Sequence, residues 1–223
     1  MMIEAFIFDM DGTLIDSTQL DYEAWQQAMR EYDAEFPYQD YIAKLGAKSS
    51  EIARQYLDIS DDEIDALISR REGYFKQLVE EKGLSLLPHA EQFLQQVRNA
   101  HLKTALATGA NAEKLEFIFT KLPLRQYFDA FVTADDVSNG KPDPEVFLQA
   151  AAKLGVEPAN CVVMEDASNG LQAAKSGGMY CIALTTTRSA DQLQGADLVV
   201  NGYAEIDMLH WLEEQQSKGS GAA

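Results

Sequence analysis

Basic residues are scarce in this sequence: 18 Lys and Arg stand against 36 Asp and Glu, giving a formal charge of −18 over 223 residues. No block of Lys or Arg interrupts that balance. Nucleic acid and anionic membrane surfaces are therefore not expected partners, since both are bound through clustered cations. Cysteine is limited to Cys161 and Cys181, both in strand-like apolar runs and without the short spacing of a zinc site or redox pair. They read as small buried hydrophobes, and no disulfide is needed. Long hydrophobic runs are missing as well. The longest are strand-sized, and Met1-Met2-Ile3-Glu4 carries no basic segment ahead of an apolar one. Neither a membrane span nor a signal peptide is expected, and a cytoplasmic location follows by default. There are no internal repeats.

What remains is a chain with 46% hydrophobic residues, enough for a proper core and a globular fold. Its first apolar run, Ile3-Glu4-Ala5-Phe6-Ile7-Phe8, ends abruptly in Asp9-Met10-Asp11-Gly12-Thr13-Leu14. A short β-branched and aromatic run closed by glycine fits a buried strand emptying into a tight loop. The paired carboxylates are either ordinary turn residues or a ligand-facing pair.

Residues 15–87 change character. Helical spacing with charged outer faces runs over 21–32, 49–57 and 61–82, the last opened by Ser60-Asp61-Asp62-Glu63, a reciprocal capping signal. From Pro88 onward helices and strands alternate. Strands are expected at 103–108, 130–133, 161–165, 180–184 and 198–200, with helices at 89–100, 111–121, 144–154, 169–176 and 206–216. Such alternation implies parallel pairing through right-handed crossovers. The expected fold is α/β: a doubly wound parallel sheet from residues 1–14 and 88–216, with an inserted helical cap at 15–87. The stretch 217–223 reads as a linker-like, disordered tail.

In this architecture ligands bind where the carboxyl ends of the strands converge. Asp9 and Asp11 follow the first strand. Two carboxylates in one pocket tend to divide the roles of nucleophile or metal ligand and of general acid or base. Thr108-Gly109-Ala110-Asn111 follows the second strand, a hydroxyl and small residues that either grip an anion or merely cap the next helix. Lys141, wedged between Gly140 and Pro142 after the third, suits a fixed positive charge aimed at phosphate, or is simply solvated. Glu165-Asp166 follows the fourth, hard oxygen donors suited to Mg²⁺ or caps for the following helix. Their common position at strand ends favours one metal-assisted phosphate site. In so acidic a chain, phosphate binding at carboxylates calls for a divalent cation.

Asp9-Met10-Asp11-Gly12-Thr13-Leu14, Thr108, Lys141 before Pro142-Asp143-Pro144, and Glu165-Asp166 closely resemble the four ordered motifs of haloacid dehalogenase-like phosphotransferases. The helical insertion resembles the cap of the branch that contains β-phosphoglucomutase and phosphoglycolate phosphatase-like sugar phosphatases. The resemblance implies Asp9 as nucleophile through a transient aspartyl phosphate and Asp11 as acid and base. It implies Mg²⁺ held by Asp9, the Asp11 carbonyl and Asp166, with Glu165 as ligand or support. Thr108, Lys141 and the main chain around Met10, Gly109, Ala110 and Asn111 would grip the phosphoryl group. Candidate cap contacts are Asp21, Gly46, Lys48 and Arg70, with Lys48 foremost. Trp25, at helical spacing with Tyr22 and Met29, reads as core packing.

The expected function is a phosphohydrolase acting on a small sugar phosphate, in a monomer. A phosphosugar mutase is the alternative, disfavoured because β-phosphoglucomutases carry a histidine in the first cap helix where Asp21 aligns. A phospho-acceptor signalling module uses similar strand-end groups, but needs neither the insertion nor an acid such as Asp11.

Overall fold

The computed structural model describes residues 2–220. Six strands form one parallel sheet: β1 (Ala5–Phe8), β2 (Lys103–Ala107), β3 (Ala130–Val132), β4 (Cys161–Glu165), β5 (Tyr180–Leu184) and β6 (Leu198–Val200). Their order is β3-β2-β1-β4-β5-β6. The chain therefore reverses its winding direction at β1, and a crevice opens above that strand's carboxyl end.

The pleat sorts the core into two layers. Phe6, Phe8, Leu106, Met164 and Ile182 point to one face. That face is covered by α5 (Ala90–Asn99), α6 (Ala112–Lys121) and α9 (Met208–Ser220). Ala5, Ile7, Ala105, Ala107, Val163 and both cysteines point to the other, beneath α7 (Glu145–Leu154) and α8 (Ser168–Ser176). Buried on both sides, the strands are apolar except at ends such as Lys103, Thr104 and Glu165, as suits an all-parallel sheet. The aromatic layer is bulky, and the opposite layer is alanine-rich.

Between β1 and α5 lie α1 (Thr18–Arg30), α2 (Tyr38–Ala43), α3 (Ser49–Tyr56) and α4 (Asp61–Lys82). Trp25, Met29, Phe36, Tyr41, Ile52, Ile64 and Leu67 form a separate apolar cluster among them. The segment is nonetheless rooted in the main core, because Leu20 and Ala24 of α1 and Phe75, Leu78 and Val79 of α4 belong to the layer under β1. The outgoing and returning chains run side by side, with Leu87 N donating to Leu14 O at 2.9 Å and Asp16 N to Ser85 O at 3.0 Å. The Ser60–Glu63 capping box that opens α4 is formed in both directions.

Two expectations need adjustment. Helix α2 is absent from the sequence reading, because six residues after Pro37 are too few to display a 3.6-residue period. Helix α9 continues over 217–220, where a disordered tail is expected. Extending an existing helix gains a main-chain bond per residue without a new nucleus. Residues 221–223 lie outside the described residues.

Candidate active site

Asp9 is the first residue past β1, and its amide donates to Met164 O of the neighbouring strand at 3.0 Å. That bond fixes the carboxylate at the sheet edge. Lys141 reaches it from the loop before α7: its ammonium is 2.5 Å from Asp9 Oδ1 and 2.6 Å from Glu165 Oε1. The Lys141 side chain is only 1% exposed and lies over the Phe147 ring. Burial would lower its ammonium, but Asp9 and Glu165 outweigh this and raise it above its ordinary value. It is a fixed positive charge.

Glu165 is tied at both oxygens. Oε1 accepts Lys141, and Oε2 accepts the amides of Asp166 and Ala167 at 2.8 Å each. The space for its carboxylate exists because residue 170 has no side chain; a Cβ there would fall 1.7 Å from Glu165 Oε1. Asp166 lies 1% exposed, with Thr13 and Thr187 hydroxyls donating to Oδ1 at 2.6 Å and Oδ2 at 2.5 Å. Burial first, then the Glu165 charge, push its carboxyl up to about 7. Burial likewise raises Asp9 well above the usual range, with Lys141 opposing and Glu165 and Asp166 adding. Such a cluster invites a cation. Gly12, at φ +78°, provides the room: a Cβ there would stand 2.5 Å from Asp166 Oδ2.

These oxygen donors suit a small hard cation, and Mg²⁺ binds through one or two carboxylates with substrate phosphate and water. Among the described residues no group of three or more His, Cys, Asp and Glu side chains is arranged to hold a metal ion. A cation here would therefore rest on Asp9, Asp166 and a main-chain oxygen rather than in an all-protein cage.

Asp11 points to the opposite side. Ser17 Oγ donates to Asp11 Oδ1 at 2.5 Å, and Lys114 Nζ lies 3.0 and 3.1 Å from its two oxygens. The same ammonium is 2.9 Å from Asp21 Oδ1, which also pairs with Arg71, and Tyr41 donates to Asp21 Oδ2 at 3.1 Å. Burial would raise the Asp21 carboxyl, but Arg71 and Lys114 hold it at about 2. Arg71 itself stacks over Trp25, with its guanidinium 5.1 Å from the ring centroid.

A cavity of about 50 Å³ lies between the sheet edge and the helical segment. Asp9, Asp11 and Thr108 line it from the sheet side, and Asp21, Tyr41 and Arg71 from the helical side. Gly109, Ala110, Lys114 and Gly46 also border it. The two halves touch closely there: a Cβ on Gly109 would fall 2.7 Å from Gly46 O. Thr108 Oγ1 accepts the Ala110 amide at 3.1 Å, which leaves the hydroxyl proton free to donate.

Several candidates stand elsewhere. Asn111 caps α6, its Oδ1 accepting Lys114 N at 2.8 Å. The Met10 side chain is buried in the aromatic layer, so only its main chain can serve the site. Lys48 turns away from the cavity and donates to Val137 O at 2.5 Å and Ser138 O at 3.3 Å, strapping the helical segment to the loop before Lys141. Arg70 faces outward, 2.5 Å from Glu31 and 2.9 Å from the Tyr32 hydroxyl. The cavity is served instead by Arg71 and Lys114, which the sequence reading passes over. Arg71 falls on the buried stripe of Ile64, Leu67, Phe75 and Leu78, the spacing of an inward face. Lys114 sits in the first turn of α6, where a cation opposes the helix dipole.

A family model described as haloacid dehalogenase-like hydrolase matches residues 3–178, more than half of the chain. The chain belongs to this family. Its relatives include the validoxylamine A 7'-phosphate phosphatase of Streptomyces hygroscopicus subsp. limoneus, 32% identical across 94% of this chain and 98% of that one. The fructose-1-phosphate phosphatase of Escherichia coli is 35% identical across 79% and 93%. Among solved structures, β-phosphoglucomutase from Clostridium difficile superposes with a TM-score of 0.86 at 27% identity, covering 97% and 99%. The chain is thus a haloacid dehalogenase-like enzyme of hydrolase type. No described helix is long and apolar enough to cross a membrane.

Proposed function

We propose that the protein is a Mg²⁺-dependent phosphohydrolase of small sugar phosphates. The observation that carries this reading is the division of labour between Asp9 and Asp11. They leave the same strand end, but one is held by Lys141 beside Asp166 and the other by Lys114 and Ser17 at the mouth of the cavity.

In this reading Asp9 attacks the phosphorus of a monoester and forms the acyl phosphate, while the ester oxygen leaves as an alcohol. Asp11 delivers the proton to that oxygen, then takes one from the water that hydrolyses the acyl phosphate. Lys141 and the Thr108 hydroxyl hold the phosphoryl oxygens, so the protein contributes position and charge. Asp9, Asp166 and the Asp11 carbonyl would hold Mg²⁺, which when bound would supply charge neutralisation at the phosphoryl group. Glu165 supports this arrangement by orienting Lys141, its oxygens being engaged already. The helical segment excludes water from the reacting centre and contacts the leaving group.

The named phosphatases among the relatives favour hydrolysis of phosphorylated carbohydrates. The likeness to a β-phosphoglucomutase supports a mutase as the second reading. Asp21 speaks against it: clamped by Arg71 and Lys114 and held at about 2, it carries no proton to relay near neutral pH. Incubation with a sugar-phosphate panel and Mg²⁺ decides between them. Phosphate release is expected, and conversion of β-glucose 1-phosphate to glucose 6-phosphate with a bisphosphate primer, without net release, would favour the mutase.

A further inference from the structure

Two cations, Arg71 and Lys114, line the cavity, and both are already committed. Arg71, 4% exposed, pairs with Asp21 and with Glu72, the latter at 2.5 Å. Lys114, 2% exposed, is divided between Asp11 and Asp21. Lys44 also borders the cavity, but its ammonium bonds Gln55 and lies over the Tyr56 ring. Lys48 and Arg70, as described, turn elsewhere. Asp21 is the hinge of this balance, since among the described residues it alone forms ion pairs with both Arg71 and Lys114.

Polar capacity is left over all the same. Arg71 Nε is buried without a hydrogen-bond partner, on a residue that borders the cavity. Asp21 Oδ2 accepts the Tyr41 hydroxyl, and a carboxylate oxygen has a second lone pair. Glu72 Oε2 is likewise buried without a partner; a donor on a cation already paired with carboxylates and an anionic acceptor on the same cavity wall suit a hydroxyl, which can both accept and donate. A second phosphate or a carboxylate would meet Asp21 and Glu72 before any uncompensated cation, and burying it there would cost its hydration without repayment.

We infer that Asp21 is a specificity-determining residue: as the third carboxylate beside Asp11 and Glu72 around Arg71 and Lys114, it leaves no positive charge to spare, so that the site takes monophosphates of neutral polyols and rejects substrates with a second anionic group. This deepens the phosphohydrolase reading and rests on it. Repulsion of the wrong ligand, rather than tighter grip on the right one, does the selecting.

The test uses matched pairs that differ by one anion: glycerol 1-phosphate with 3-phosphoglycerate, and fructose 1-phosphate with fructose 1,6-bisphosphate, within a wider sugar-phosphate panel. In the unmodified enzyme kcat/KM should favour the neutral member by roughly 10- to 100-fold, the worth of one or two charge-assisted contacts. Asp21→Asn removes one of the three carboxylates set around the two cations, leaving Arg71 to Glu72 and Lys114 to Asp11, and should shrink that ratio by about tenfold, through a lower KM for the anionic member. Asp21→Glu, which keeps the charge, should retain the preference. Equal turnover of both members by the unmodified enzyme overturns the inference and leaves the phosphatase reading standing. So does an Asp21→Asn variant that loses both members in equal proportion. Failure to release phosphate from any panel member overturns both. If Asp21→Asn does not fold, the ratio in the unmodified enzyme decides the matter alone.

Discussion

Lys114 Nζ sits 3.0 Å from Asp11 Oδ1 and 2.9 Å from Asp21 Oδ1, joining a residue beside β1 to one on α1 through a helix far along the chain. One buried ammonium thus ties the proposed acid to the segment that closes over it. Replacing it leaves two carboxylates facing each other without their common partner.

Lys114→Met is therefore expected to destabilise the fold by about 3 kcal/mol, the cost of breaking a buried pair on one side. Urea unfolding measures this. Phosphate release should drop as well, because Asp11 loses the contact that orients it. A variant as stable as the parent would show that the contact is not formed in solution.

Acid should expose the Asp21 contribution. Its carboxyl is held at about 2 against an ordinary value of 3.8, so the folded state favours the ionised form. The stabilisation is complete above pH ~4 and fades as pH falls toward 2, amounting to about 2 kcal/mol. Unfolding curves of the parent and Asp21→Asn at pH 5 and pH 2.5 should converge as the pH drops. Curves that keep a constant separation would contradict the assigned pairing.

Gly170→Ala places a Cβ 1.7 Å from Glu165 Oε1, and Glu165 cannot swing aside without releasing Lys141 and two amides. A loss of about 1–3 kcal/mol is expected from this overpacking, together with reduced activity because Lys141 is displaced. Calorimetry on the variant gives the first quantity and steady-state kinetics the second.

The sheet was readable because parallel strands covered on both faces are apolar through their middles, as the runs at β1, β2, β4 and β5 are, with polar residues only at strand ends such as Lys103, Thr104 and Glu165. The carboxylates and the lysine at the strand ends were readable because polar groups interrupt those runs at one edge. The helical wall of the cavity was harder. Its polar contacts join Asp21 to Arg71 and to Lys114, 50 and 93 residues away, and no local pattern encodes such a meeting. Arg70 and Arg71 are neighbours, and only the stripe through Ile64, Leu67, Phe75 and Leu78 separates the inward one from the outward one. Lys48, next to a glycine-containing turn, looks poised for substrate; its length lets it reach the Val137 carbonyl instead.

Metal dependence provides a further check. Asp9, Glu165 and Asp166 repel one another in a buried cluster, and a divalent cation relieves that repulsion. Mg²⁺ should raise Tm, EDTA should abolish phosphate release, and Asp166→Asn should weaken both responses. Phosphate release that persists in EDTA would count against the cation's role.

The central claim is that Asp9 becomes phosphorylated during turnover. Rapid acid quench of the enzyme with a sugar monophosphate labelled at phosphorus, followed by peptide mapping, tests it directly. The account predicts label on the peptide containing Asp9, formed and lost within a turnover, and none in a folded Asp9→Asn variant. Label on another residue, or phosphate release by Asp9→Asn at the parental rate, would contradict it.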